Sequence, residues 1–214
     1  MSGQVYIFDL DGTLIDSMPT GVGIVLSFLE KQGIAYPDDM VKKLTPLGYK
    51  GTAAYYVDVL GVQTPVEEIY GYFQEQTKVA YGEYIPLKSG VEKTLKALYA
   101  KGCRLNVLTA SPHALMDICL KRLGVYELFE NVWSIDDFGL TKADEEIYTR
   151  VAALLKVTPQ ECIMVDDNVN VLKTAKRVGM RTIGVYDESA KDEIAEMQAT
   201  ADKYVMELSE LITE

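Results

Sequence analysis

The sequence predicts an α/β protein, a doubly wound, Rossmann-like parallel sheet with an all-helical segment inserted after its first strand. Three observations predict it. Short apolar runs of β-forming residues alternate with amphipathic stretches of helical period, the pattern of parallel strands covered by helices on both faces. One long departure, from about Ser17 to Tyr84, holds helical patterns and no convincing strand. The 214 residues, 48% apolar and 25% charged, suffice for a large core and are too apolar for disorder.

In chain order, Val5–Phe8 reads as a buried strand that ends abruptly in Asp9-Leu10-Asp11-Gly12. The helical insert begins with the periodic residues Val22, Val25, Leu26 and Leu29, closed by Gly33. Further helices are expected near Asp38–Leu44, Thr52–Leu60 and Val66–Tyr81, separated by Pro37, Pro46, Gly48, Gly61 and Pro65. Tyrosines are frequent here (Tyr49, Tyr55, Tyr56, Tyr70, Tyr72, Tyr81 and Tyr84 among them), and most should pack in the core or interface of the insert. After Pro86 the alternation resumes. Ser89 should cap a helix reaching about Lys101, and Arg104–Leu108 should be a strand with Thr109 at its tip. Ser111-Pro112 reads as cap and first turn of a helix to Leu123. Val132–Ser134 is a brief strand, Glu145–Leu155 a helix, and Cys162–Val165 a strand ending in Asp166-Asp167. Asn168 should cap the next helix, which Gly179 closes before a strand at Thr182–Val185. The tail offers a helix near Ala190–Gln198, a short strand at Lys203–Val205 and a last turn at Leu208–Ile212. The expected division is thus a core of residues 1–15 and 86–214 and a helical insert of 16–85.

Charge and cysteine usage narrow the partners. Against 21 basic side chains stand 32 acidic ones, a net charge of −11 that repels phosphate backbones and argues against nucleic-acid binding. No apolar run approaches the roughly 18–20 residues of a membrane span. No Lys or Arg leads the run Val5–Phe8, so no secretory leader is expected. Cys103, Cys119 and Cys162 form neither a disulfide framework nor a zinc pattern, and a reduced, cytoplasmic setting is the expectation. Oligomeric state is left open.

In open parallel sheets, ligands sit beyond the carboxyl ends of the strands. Four such places carry chemistry: Asp9 and Asp11, Thr109, Lys142 in the loop after the third strand, and Asp166 with Asp167. Carboxylates two positions apart on an extended tip face the same side, so Asp9 and Asp11 crowd one spot. Clustered carboxylates without His or Cys call for a hard cation, Mg²⁺ foremost. Lys142 and Thr109 then suit an anionic substrate, because a divalent cation, a lysine and loop amides are the recurring means of neutralising a transferring phosphoryl group. Taken singly, each feature has a plainer explanation: a turn for Asp-Leu-Asp-Gly, a strand-end cap for Thr109, a solvated lysine, a helix-terminal charge. Their arrival in order on four strand tips is what argues for one site.

The string Phe8-Asp9-Leu10-Asp11-Gly12-Thr13-Leu14-Ile15-Asp16-Ser17 resembles the first motif of the haloacid dehalogenase superfamily, and Thr109-Ala110-Ser111, Lys142 and Val165-Asp166-Asp167-Asn168 resemble its second, third and fourth. The insert resembles the small helical cap of its phosphoglycolate phosphatase and β-phosphoglucomutase branch. The resemblance implies a Mg²⁺-dependent phosphatase of a small phosphorylated metabolite. Asp9 would be the nucleophile forming an aspartyl-phosphate, and Asp11 the acid and then the base. Mg²⁺ would take Asp9, the Asp11 carbonyl and Asp167, with Asp166 as second candidate. Leu10, Thr109, Ala110 and Lys142 would hold the phosphate. Linkers near Ile15–Thr20 and Tyr84–Lys88 would be the cap's hinges. A phosphosugar mutase is the alternative within the family, and a catalytically silent metabolite-binding protein the alternative outside enzymes. Two departures stand out: Ala143-Asp144-Glu145 follows Lys142 where the family has proline, and Asn170 and Val171 occupy the place of a further acid in the fourth motif.

Lys50, in the Gly-rich stretch Gly48-Tyr49-Lys50-Gly51, is the one insert residue considered for substrate contact, with a solvated lysine as the alternative. His113, the sole histidine, reads as a surface or cap residue. The acidic stretch Asp187–Glu196 reads as a solvated face.

Overall fold

The computed structural model describes residues 3–37, 39–44 and 47–212. Its strands are β1 (Val5–Phe8), β2 (Arg104–Thr109), β3 (Asn131–Ser134), β4 (Cys162–Asp166), β5 (Arg181–Val185) and β6 (Lys203–Val205). They form one sheet in the order β3-β2-β1-β4-β5-β6, with every neighbouring pair parallel. The chain winds outward from β1 to β3, then crosses back to β4 and winds the other way. That reversal between β1 and β4 opens a crevice at their carboxyl ends. Both strands are buried throughout, as central strands covered on both faces must be.

Helices α5 (Val91–Ala100), α6 (His113–Arg122), α7 (Glu145–Leu154), α8 (Val169–Arg177) and α9 (Ile194–Thr200) belong to the same unit as the sheet. On one face Ile7, Leu108 and Met164 pack against Tyr148 and Val151 of α7 and Leu172 and Ala175 of α8. By compactness the chain divides into Met1–Asp16 with Pro86–Glu214 and, separately, Ser17–Ile85. The second unit contains α1 (Met18–Lys31), α2 (Met40–Leu44), α3 (Gly48–Asp58) and α4 (Val66–Glu83), and no strand among its described residues. Its core is aromatic: Phe73, fully buried, is ringed by Phe28, Tyr49, Tyr56 and Tyr72 at centroid separations of 5.4–6.2 Å. Tyr56 also donates its hydroxyl to the Val25 carbonyl at 2.8 Å, so its buried polar tip is satisfied. Tyr84 departs from the tyrosine pattern and is 56% exposed.

Several helix starts differ from expectation. Ser89 does not cap α5; Gly90 does, in a left-handed conformation (φ 75°) that a side chain disfavours, and an added Cβ would lie 3.0 Å from that of Ser209. Pro112, not Ser111, precedes the first residue of α6, and the Ser111 hydroxyl donates to Asp11. Gly48–Gly51 form the first turn of α3 rather than a loop, and Lys50 is exposed there. Asp38 and Pro46 lie outside the described residues, and the helix expected at 38–44 is described from Met40. The tail helix is split into a 3₁₀ segment, Glu188–Glu193, and α9, and the last turn is 3₁₀ as well. No helix among the described residues is long and apolar enough to cross a membrane.

Replacing Phe73 by Ala removes the hub of the aromatic cluster and should cost about 3–5 kcal/mol. The check is urea denaturation; a midpoint unchanged from the parent would show that these rings do not hold α1, α3 and α4 together.

Candidate active site

Parallel register explains why distant acids meet. Phe8 pairs with Val165, and the Asp9 amide donates to the Val165 carbonyl at 2.9 Å, so pairing continues past the end of β1. Asp9 and Asp166 are therefore level on adjacent strands, with side chains on one face. Asp9, Asp166 and Asp167 are all buried and each offers an oxygen within 4.8 Å of the others. The Lys142 ammonium, itself only 11% exposed, donates to Asp9 Oδ1 and, at 2.9 Å, to Asp166 Oδ2.

The remaining expected residues surround this group. Thr109 ends β2 fully buried, and its Oγ1 accepts from the Ser111 amide at 3.1 Å, which leaves the hydroxyl hydrogen to donate. The Ser111 hydroxyl donates to Asp11 Oδ2 at 2.6 Å and so ties the second strand tip to the first. Leu10 is buried, with Leu14 and Ile15 folding their amides back on its carbonyl at 2.8 and 3.0 Å; Ala110 is exposed beside Thr109. Lys50 belongs to the other unit. His113 lies at the surface between Asp137 (2.9 Å) and Asp117 (3.3 Å), where its ordinary partners are carboxylates.

Three supporting residues escaped the sequence reading. Thr13 donates to Asp167 Oδ1 at 2.9 Å across 154 residues of chain. Tyr148, fully buried on α7, donates its hydroxyl to the Lys142 carbonyl at 2.7 Å. Gly12, at φ 75°, leaves room for Asp167, since an added Cβ would lie 2.4 Å from its Oδ2. The loop without proline is closed by an acid instead: Asp144 accepts from the Thr141 amide at 2.8 Å and hydroxyl at 2.7 Å, and returns its own amide to the Thr141 carbonyl at 3.1 Å. Asp144 thus supplies a turn of its own. Glu145, the second acid, pairs with Arg177 and leaves the site's charge alone.

Asp166 and Asp167 differ in what already holds them. Asp166 accepts from the Asn168 amide (2.9 Å) with one oxygen and from Lys142 with the other. Asp167 accepts from Thr13 with Oδ1, while its Oδ2 faces the open side of Gly12.

Charge is the site's governing problem. Three buried carboxylates against one ammonium leave a formal deficit of two positive charges. Burial, and then the charges of Asp166, Asp167 and Asp11, push the Asp9 carboxyl well above the usual range although Lys142 pulls it down. Burial and the adjacent Asp166 push Asp167 up to about 7. Burial alone would lower Lys142, but the Asp166 and Asp9 charges outweigh it and hold the ammonium protonated. A hard divalent cation with oxygen ligands matches both the donor set and the missing charge.

The family profile of haloacid dehalogenase-like hydrolases matches residues 6–185. Among curated relatives, a phosphorylated carbohydrates phosphatase of Thermotoga maritima is 24% identical over 92% of each chain. A phosphoglycolate phosphatase of Psychrobacter arcticus is 26% identical over 86% of this chain and 84% of its own. Among solved structures, CbbY of Rhodobacter sphaeroides in complex with phosphate superposes with a TM-score of 0.76 at 22% identity, over 98% of this chain and 96% of that one.

A carboxyl raised from 3.8 to about 7 holds a proton in the folded protein that the unfolded chain has already released. The cation-free protein should therefore lose stability as pH rises across that interval. A divalent cation must displace the proton, so its binding should strengthen as pH rises through about 7. Calorimetric titration with Mg²⁺ near pH 6.5, in two buffers of different ionisation enthalpy, should give different heats; equal heats would contradict proton release.

Proposed function

The chain belongs to the haloacid dehalogenase-like hydrolases, and from that membership we propose that it is a magnesium-dependent phosphatase hydrolysing a small phosphorylated metabolite through a phosphoaspartate on Asp9. The observation that supports this most is the Lys142 ammonium lodged between Asp9 and Asp166, with Asp167 beside them. A catalytic carboxylate and a phosphate-binding cation need to share one buried place, and the juxtaposition of a carboxylate and an ammonium here supports that reading. The relatives, phosphatases of phosphorylated carbohydrates and of phosphoglycolate, point to small phosphate esters as the substrate class.

In this proposal residues 1–15 and 86–214 form the catalytic part and 16–85 the cap. Asp9, the Asp11 carbonyl and Asp167 would hold Mg²⁺, with Asp166 kept on Lys142 and the Asn168 amide. When bound, the ion supplies the positive charge that keeps Asp9 ionised and offsets the phosphate oxygens. A carboxylate oxygen of Asp9 attacks phosphorus as the bond from phosphorus to the ester oxygen breaks. The Asp11 carboxyl delivers its proton to that leaving oxygen, held in place by the Ser111 hydroxyl. In the second half, Asp11 takes a proton from water, the water oxygen attacks phosphorus, and phosphate leaves with Asp9 regenerated. Thr109, Lys142 and the loop amides of Leu10 and Ala110 bind the phosphate oxygens.

Turnover on a panel of phosphorylated metabolites should require Mg²⁺, vanish in EDTA, and fall about a thousandfold or more in Asp9→Asn. Following ³²P from labelled substrate decides the chemistry: label in free phosphate supports hydrolysis, and label in an isomer makes the protein a mutase. Full activity of Asp9→Asn would remove Asp9 from the nucleophile's role. Absence of turnover across the panel would favour a metabolite-binding protein.

A further inference from the structure

Lys88 is buried down to 18% of its side chain and reaches three acceptors at once. Its ammonium donates to the Gly12 carbonyl at 2.5 Å, the Tyr186 carbonyl at 2.7 Å and Asp187 Oδ2 at 2.8 Å. An ammonium has three N–H donors, so Lys88 has none left for a ligand and its role is internal. Asp187, expected from the sequence to be solvated, is instead buried, and its other oxygen accepts from the Ser189 amide (2.9 Å) and hydroxyl (2.6 Å). The Lys88 main chain is tied to the same loop as its side chain. Its amide donates to the Leu14 carbonyl at 3.0 Å, the Asp16 amide donates to the Pro86 carbonyl at 3.0 Å, and Ile15 bridges Leu87. Lys88 thus clamps the loop that follows β1 to the tip of β5, two strands away.

What the clamp holds is Gly12, and Gly12 stands directly against Asp167. A Cβ there would come within 2.4 Å of Asp167 Oδ2 and 3.0 Å of Oδ1, so displacement of this backbone moves, or frees, that carboxylate. Thr13, the next residue, holds Asp167 from the other oxygen. We propose that Lys88 is a positioning residue: by holding the Gly12 carbonyl it sets the place of the loop and of the Asp167 carboxylate, and so tunes divalent-cation binding without touching cation or substrate. This rests on the metal-dependent reading above.

Removing Lys88 alone would strand the buried Asp187 charge, and Lys88→Met could fail to fold for that reason. The test therefore centres on Lys88→Met/Asp187→Asn, which removes both charges, with Lys88→Arg as the conservative variant. Mg²⁺ binding is measured by calorimetry and loop order by amide hydrogen exchange, neither of which needs turnover. In the folded double variant we expect Mg²⁺ affinity to fall about tenfold, as for other groups that hold metal ligands from behind. We also expect faster exchange at residues 10–13, and partial recovery of both in Lys88→Arg. Where turnover is measurable, the Mg²⁺ concentration for half-maximal rate should rise while KM for substrate changes less than about threefold. Unchanged Mg²⁺ affinity in a folded double variant overturns the proposal, as does a wild type that binds no divalent cation. A wild type that binds Mg²⁺ yet hydrolyses no ester defeats the phosphatase reading alone, and the comparison of affinities still decides the role of Lys88.

Discussion

The ion pair of Lys142 with Asp9 and Asp166 is the constraint around which the rest of the sheet unit is arranged. Parallel pairing of β1 and β4 sets two carboxylates side by side in a nearly dry place, where burial pushes the Asp9 carboxyl well above the usual range. One lysine from the loop before α7 offsets part of that charge. It can do so only if the loop is held still, and the loop is held twice: Tyr148 takes its carbonyl, and Asp144 closes it onto Thr141. Buried ion pairs add little net stability against an apolar core, so such an arrangement is better understood as specifying geometry. Here the geometry specified is an ammonium held between two carboxylates on neighbouring strand tips.

The clamp of Lys88 on Asp187 repeats the same device on the other side of the first loop. Both pairs put an ammonium between a carboxylate and the loop following β1. They differ in what remains available. Lys142 donates to two side-chain carboxylates, whereas Lys88 gives two of its three donors to main-chain carbonyls. Asp187 keeps a carboxyl below the ordinary range: burial opposes this, but Lys88 and Ser189 outweigh it. The two lysines therefore differ in kind: one joins side chains at the strand tips, and the other braces the backbone.

The strand tips were legible because each is marked by a sudden change from apolar to polar residues, and the sheet's parallel alternation then forces those tips to one edge. Asp9, Asp166 and Asp167 meet for that reason alone. The local signals at helix starts were less secure. Ser89 and Ser111 both looked like caps, but Gly90 takes a backbone conformation a serine disfavours, and α6 begins one residue later than expected, with Pro112 before it and the Ser111 hydroxyl on Asp11. Thr13, Tyr148 and Lys88 carry no local mark at all, because their partners lie 154, 6 and 76 or more residues away along the chain, and only tertiary packing selects them. Tyr148 lies on the buried side of α7 with Ile147, six residues beyond Lys142, but its hydroxyl's target could not be read from spacing.

The departure from family pattern after Lys142 shows how the same constraint admits different sequences. A proline would stiffen that loop by removing backbone freedom from the unfolded chain. Ala143-Asp144 reaches a similar end through the folded state, with a carboxylate accepting two hydrogen bonds from Thr141 and an amide returning a third. Burial is nearly absent at Asp144, yet these bonds hold its carboxyl below the ordinary range, so the turn keeps its charge-assisted bonds at any pH where the site's own carboxylates are ionised. The charge of the added acid is met locally by Thr141, as that of Glu145 is by Arg177. An acidic chain can thus carry acids beside Lys142 because each has its own donors, and the local pairing matters more there than the net charge of −11.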